Sequence, residues 1–153
     1  NYSFAAMTDA WNETGIGQVM VERVDSEAIE SYGVADIDGL ASESFKSIPL
    51  EGLVEKPSPE KAPSNLAVLG RDILPSKVLD LLETTVAGVG GEIQLTDALD
   101  KLLKIDGLNA FETDASIFDC GNKQGFLSAN LAVGMRDPDT RQLIKALIEK
   151  SGW

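Results

Sequence analysis

Three short stretches of the sequence carry side chains fit to bind or activate a ligand. The first is Glu55-Lys56-Pro57, which reads as the C-terminal end of a strand, where α/β sheets form their ligand crevices. A carboxylate there can accept hydrogen bonds from sugar hydroxyls while the adjacent ammonium pairs with a phosphate. Each such charged bond contributes about 1.5 to 3 kcal/mol. On residue types alone, a Glu-Lys pair before a proline reads first as a solvated strand end. The second is Asp119, just before Gly121 and a helix start. A carboxylate so placed can bind a magnesium ion that bridges phosphates, with the helix N-terminus behind it attracting anions. The same position suits an ordinary helix-capping aspartate. The third is Gly88-Val89-Gly90-Gly91-Glu92, which lacks the Lys-Ser/Thr that follows a phosphate-binding loop and reads as a plain turn.

The remaining composition narrows the chemistry further. There is no histidine among the 153 residues, so Ser-His-Asp and Cys-His catalysis and His-ligated zinc within this chain are excluded together. Cys120 is the single cysteine; it supports neither an internal disulfide nor a thiolate metal cage, and a reducing, cytoplasmic setting is expected. Any metal would be a hard cation on carboxylate oxygens, with magnesium the commonest choice beside phosphates. Thirteen Lys and Arg against twenty-five Asp and Glu give a formal charge of -12, which repels nucleic-acid backbones and anionic lipid. With 43% apolar and 25% charged residues, and no apolar run approaching the ~18 residues of a membrane span, neither nucleic acid nor membrane is an expected partner. The opening Asn1-Tyr2-Ser3 has neither an initiator Met nor a leader, and the chain is expected to begin partway into a longer protein.

The elements that must position these residues alternate. Ser3 is expected to cap a helix bearing Phe4, Met7 and Trp11, ended by Gly15. Strands are expected at 19–21, 32–36, 48–54 and 66–69, with a hairpin connection over 38–47 and an extended loop through Pro57, Pro59 and Pro63. Pro75 opens a helix that faces Val78, Leu79, Leu81 and Leu82 to a core, and Thr96 is read as the cap of the next, with Leu99, Leu102 and Leu103. Strands at 108–113 and 116–118 precede a helix over 122–135. A final helix begins with Asp137 as cap and Pro138 at its first position, and carries a stripe of Leu143, Ile144, Leu147 and Ile148. The fold class is α/β, with a mixed sheet flanked by helices, because the 34–54 region reads as antiparallel.

The order and surroundings of these motifs are more specific than the motifs themselves. Asn12-Glu13-Thr14-Gly15, Tyr32-Gly33-Val34, Gly52-Leu53-Val54-Glu55-Lys56-Pro57, Ala62 to Arg71, Gly91-Glu92-Ile93-Gln94-Leu95-Thr96-Asp97-Ala98 and Asp119-Cys120-Gly121-Asn122-Lys123 follow one another along nearly the whole chain. In this the sequence resembles the C-terminal half of the bacterial UTP-glucose-1-phosphate uridylyltransferases, a family of sugar nucleotidyltransferases. The resemblance implies a Rossmann-like nucleotide-diphospho-sugar transferase fold. It divides the chain into a sugar-1-phosphate-binding half over 1–136 and a C-terminal helix over 137–153 that is expected to serve oligomerisation. It also implies the reaction of UTP with glucose-1-phosphate to give UDP-glucose and pyrophosphate, with magnesium as cofactor.

Carried over by motif, Gly33 contacts the sugar through its backbone, Glu55 binds glucose hydroxyls, Lys56 holds the sugar phosphate, and Asn65 and Val68 line the sugar pocket. Lys56 and Asp119 are then the catalytic residues, and Asp119 is one of two magnesium carboxylates. Phosphoryl-type transfer asks a protein mainly to position groups and neutralise charge, so the missing histidine is no obstacle. The sequence departs from the family in lacking its G-x-G-T-R nucleotide loop, uracil-reading segment and first magnesium aspartate, so this portion is expected to be inert alone. Asp72 stands where an aromatic is usual and Ala35 where a second Val is usual. The alternative is a non-catalytic binding or assembly module that keeps the fold.

Overall fold

A computed structural model describes residues 3–37, 47–88, 91–113 and 115–152. The chain forms two compact units, 1–114 and 115–153. In the first, in chain order, lie α1 (Ser3–Thr14), β1 (Gly17–Arg23), a 3-10 turn (Ser26–Ser31), β2 (Gly33–Asp36), β3 (Ser47–Pro49), β4 (Gly52–Glu55), β5 (Leu66–Ile73), α2 (Lys77–Glu83), α3 (Leu95–Asp106) and β6 (Leu108–Glu112). The second holds α4 (Lys123–Gly134) and α5 (Pro138–Ser151). The expected capping by the Ser3 side chain, and nearly all of the expected 38–47 connection, lie outside the described residues.

The six described strands make one mixed sheet in the order β3-β6-β1-β5-β2-β4. Among them only β1 and β6 run parallel; the other ladders are antiparallel. Period-two alternation explains how the sheet is covered on both faces. Val19 and Val21 of β1, Leu66 of β5 and Leu108 and Ala110 of β6 enter one core with Val78 of α2 and Ala98, Leu99 and Leu102 of α3. Met20 and Phe111 point the other way and bury Met7 of α1 between them. Phe4, expected on the same stripe, is exposed; the face of α1 that packs is Ala6, Met7 and Ala10. Leu79 is likewise exposed on α2.

The stretch 48–54, expected as one strand, is two. Ile48 pairs with Ala110 on one edge of the sheet, whereas Leu53 pairs with Ala35 on the other. Only Leu50 and Glu51 separate them, and their N–H groups donate to Leu108 O and Asp36 O, both at 2.9 Å. Three Cα steps reach about 11 Å, while the edges of a flat six-stranded sheet stand about 24 Å apart. The sheet therefore curls until its edges meet. A second correction concerns 116–118, which form no strand.

Antiparallel pairing of β1 with β5 slips by two residues: Val21 faces Val68, but Val19 faces Asp72. Gly70, in the left-handed region at φ 63, lets β5 bulge there. The Met20 N–H, deprived of a ladder carbonyl, donates instead to Asp72 Oδ1 at 3.3 Å. Asp72 thus completes the sheet four residues along β5 from Val68.

In the second unit, Asn122 caps α4 by accepting from Gly125 N at 2.8 Å, and Asp137 caps α5 by accepting from Thr140 N at 2.8 Å. Those bonds hold the Asp137 carboxyl below its usual range. Neither helix contains a buried residue. Of the expected stripe on α5, Ile144 is half-buried and its Cδ1 approaches Gly134 at the end of α4, while Leu143, Leu147 and Ile148 are more than half exposed.

Burial pushes the Asp72 carboxyl up to about 6, against the lowering influence of the Met20 N–H. Between its ordinary value near 4 and that value, the folded protein keeps a proton that the unfolded chain has released, so folding is progressively disfavoured as pH rises through this window. Asp72→Asn keeps an oxygen for Met20 and removes the charge. Its thermal midpoint is expected to match the parent near pH 4 and to exceed it at pH 7.5; parallel pH profiles for the two proteins would sink this account.

Candidate functional site

The site is built at the end of β2 and β4, whose antiparallel register sets Gly33 directly opposite Glu55. Successive residues of a strand point to opposite faces, so Glu55 and Lys56 should diverge. They do not, because Lys56 leaves β4 in the left-handed region at φ 43, alone among the described non-glycine residues. Its N–H donates to Tyr32 O at 3.0 Å, which pins the turn. Lys56 Nζ consequently lies 3.8 Å from Glu55 Oε1. Such a conformation costs of order 1 to 3 kcal/mol, and Pro57 behind it adds a steric restriction of its own. Strain that brings a cation and an anion to one rim is characteristic of a ligand site.

Glu55 is the sheltered member, its side chain 23% exposed against 60% for Lys56. Its Oε2 accepts a 2.7 Å hydrogen bond from Thr96 Oγ1 in the first turn of α3. Thr96 does not cap that helix; Gln94 occupies the cap position, without a side-chain capping bond. Gly33 makes room for this arrangement. A Cβ at Gly33 would stand 3.2 Å from Glu55 Oε2, 3.7 Å from Thr96 Oγ1 and 3.8 Å from Val68 Cβ. Gly33, Glu55, Lys56 and Val68 are therefore brought together, with Thr96 as a fifth member. Asn65 stands apart: it precedes β5, about 10 Å along an extended chain from Val68, and its carbonyl accepts from Val24 N at 3.0 Å.

Asp119 belongs to the second unit. Its Oδ1 accepts from Gly121 N at 2.8 Å and its Oδ2 from Asn122 Nδ2 at 3.0 Å, so the carboxylate is oriented by the loop that leads into α4. Gly125 is required here, since a Cβ would collide with the Asp119 carbonyl. Each carboxylate oxygen keeps lone-pair capacity for a cation. Among the described residues there is no cluster of three His, Cys, Asp or Glu able to hold a metal. Asp119 therefore fits a magnesium ion as one ligand among waters and phosphates, the mode in which that cation is usually bound, and not as part of an all-protein cage. The glycine-rich loop contributes no phosphate cradle among its described residues: Gly88 N–H donates to Glu92 O and Gly91 N–H to Gly88 O, while Val89 and Gly90 lie outside them.

Comparison with known proteins shows the family. The sequence profile described as nucleotidyl transferase matches residues 1–135. This chain belongs to the nucleotidyl transferase family. UTP–glucose-1-phosphate uridylyltransferase of Haemophilus influenzae is 44% identical over 147 residues, which are 96% of this chain and 50% of the relative. The Escherichia coli K12 protein of the same name is 39% identical over 148 residues, 97% of this chain and 48% of its own length. A solved structure of UTP-bound UGPase from Acinetobacter baumannii superposes with a TM-score of 0.82 at 38% identity, covering 95% of this chain and 49% of that one. The chain thus spans about half the length of the curated relatives it matches. No helix among the described residues of this nucleotidyl transferase chain is long and apolar enough to cross a membrane.

One member of the site was not visible as such in the sequence. Thr96 precedes an apolar helix and carries the side chain that most often caps one, so residue type pointed to a local role. Its separation from Glu55 by 41 positions gives no periodic signal.

The left-handed turn at Lys56 makes a test of sign. At an ordinary strand end glycine is weaker than alanine, but here Lys56→Gly is expected to be more stable than Lys56→Ala by roughly 0.5 to 1 kcal/mol. Chemical denaturation of the two variants measures the difference, and an alanine variant that proves the more stable would refute backbone strain at this position.

Proposed function

We propose that this chain is the C-terminal, sugar-phosphate-binding half of a UTP–glucose-1-phosphate uridylyltransferase. The observation that carries the reading is the convergence of Glu55 and Lys56 on one rim, a hydrogen-bond acceptor beside a cation, against the apolar wall of Val68 and the bare backbone of Gly33. Glucose-1-phosphate presents the matching pair, hydroxyl donors at one end and a phosphate at the other. The names and identities of the relatives support the same substrate class, and the absence of a G-x-G-T-R loop from this sequence supports its assignment to the half that does not read the nucleotide.

In this reading, Glu55 accepts hydrogen bonds from glucose hydroxyls, the backbone at Gly33 contacts the sugar, and Val68 lines its pocket. Lys56 pairs with the sugar phosphate and draws charge off it, so that its oxygen can approach the α-phosphorus of UTP; the new P–O bond forms as the bond to pyrophosphate breaks. A magnesium ion, when bound, neutralises the phosphates, and Asp119 is one of its carboxylates. Lys56 and Asp119 are the catalytic pair, both acting by electrostatics and positioning. The setting is cytoplasmic, and this portion alone is inert, because the residues that hold UTP are in the other half. Residues 137–153 serve as an oligomerisation element of a homo-oligomer, through the exposed Leu143, Leu147 and Ile148.

Two measurements on the full-length enzyme test this. Lys56→Ala should raise KM for glucose-1-phosphate at least tenfold and leave KM for UTP within about twofold, as expected for loss of a charged contact to one substrate only; equal losses for both substrates contradict the role. Leu147→Asp should lower the oligomeric state seen by sedimentation, since a charge would enter an apolar helix seam, and wild-type sedimentation would remove α5 from the interface.

A further inference from the structure

We infer that Thr96 is a positioning residue that fixes the orientation of the Glu55 carboxylate and, with it, the distance between the hydroxyl-binding and phosphate-binding ends of the pocket. The inference rests on the reading of Glu55 as the sugar-binding carboxylate and goes beyond it. The two Glu55 oxygens are held from different sides. Oε2 is bound by Thr96 Oγ1 at 2.7 Å, over the space that Gly33 leaves open, while Oε1 lies toward Lys56 Nζ at 3.8 Å. A carboxylate tied at one oxygen and drawn at the other is restrained about its terminal torsion, which leaves Oε1 to meet a ligand beside the ammonium. That sets one spacing between acceptor and cation, suited to a hexose phosphate whose hydroxyl and phosphate stand at that separation.

The bond also removes a cost. A free glutamate has three side-chain torsions to order on binding, and one already ordered by the protein loses less. Thr96 suits the task because its branched Cβ is stiff at χ1 and because it belongs to α3, anchored by the buried Ala98, Leu99 and Leu102. A hydroxyl from the first turn of that helix also approaches the carboxylate from the end whose field favours a negative charge. The donor is thus fixed to the core of the domain and not to a loop.

The experiment is steady-state kinetics on the full-length enzyme with Thr96→Val, Thr96→Ser, Thr96→Ala, Glu55→Gln and the Thr96→Val/Glu55→Gln double variant. Loss of the hydroxyl in Thr96→Val or Thr96→Ala should raise KM for glucose-1-phosphate about tenfold with KM for UTP unchanged. Thr96→Ser should restore it, and Thr96→Val should add less once Glu55 is Gln, whose neutral amide oxygen is the weaker acceptor for the Thr96 hydroxyl. A serine variant as weak as valine, or a rise in both KM values, would assign Thr96 to packing and overturn the inference. So would a Thr96→Val enzyme with parental kinetics while Glu55→Gln is impaired, which leaves the reading of Glu55 standing. Parental kinetics in Glu55→Gln overturns both. Should valine prevent folding, the alanine and serine pair makes the same comparison.

Discussion

The two-residue link between β3 and β4 is the constraint on which the rest of the first unit depends. Because Pro49 belongs to one edge of the sheet and Gly52 to the other, the sheet cannot lie flat, and Leu50 of the link joins the core that α2 and α3 cover. The link is buried at Leu50 and bonded on both sides, so it works as a clasp. Ser47 reinforces it: its hydroxyl donates to the fully buried Gln18 at 2.8 Å and accepts from Asn109 at 3.1 Å, tying the three-residue β3 to its neighbours with side-chain bonds where main-chain bonds are few. Curling is also what brings the N-terminal end of α3 over the far end of β4, and hence Thr96 to Glu55.

The site is a second consequence of broken regularity. A perfect β4 would have sent Glu55 and Lys56 to opposite faces, and a residue with a Cβ at 33 would have filled the floor between Glu55 and Thr96. The left-handed turn at Lys56 and the missing side chain at Gly33 are each unfavourable or neutral locally. Both are held by the surrounding ladder, through the Gly33–Glu55 register and the bond from Lys56 N–H to Tyr32 O. Site geometry is thus stabilised by sheet pairing that extends far from it.

How much of this could be read beforehand follows the range of each interaction. Local signals were reliable: Asp137 and Pro138 open α5, Gly15 follows α1 with its N–H on Trp11 O, and Leu99 and Leu102 face the core. Taken alone, Glu55-Lys56 reads as a solvated strand end and Asp119 as a capping aspartate, and only the order of the surrounding motifs singles them out. Interactions that join distant segments were not legible. The split of 48–54 depends on which edge each half finds, and Thr96 exchanges a cap for a carboxylate 41 positions away. Ser116, Ile117 and Phe118 have the residue types of a strand but make too short a run to hold one without a partner edge. Asp72, which the sequence offers only as a departure from an aromatic, replaces a carbonyl in the β1–β5 ladder.

The position of β1 has a bearing on how the protein is made. It lies in the middle of the sheet, between β5 and β6, and its parallel partner begins at Leu108, about 90 residues after Gly17. At a synthesis rate of roughly 5 to 20 residues per second, β1 leaves the ribosome some 5 to 20 seconds before that partner exists. Until Leu66–Ile73 follows, the apolar run Val19-Met20-Val21 has no strand partner, and its β6 edge stays open through the whole interval. Nascent chains of this topology are natural clients for holding chaperones, and a stall anywhere before Glu112 leaves the sheet without its organising strand pair.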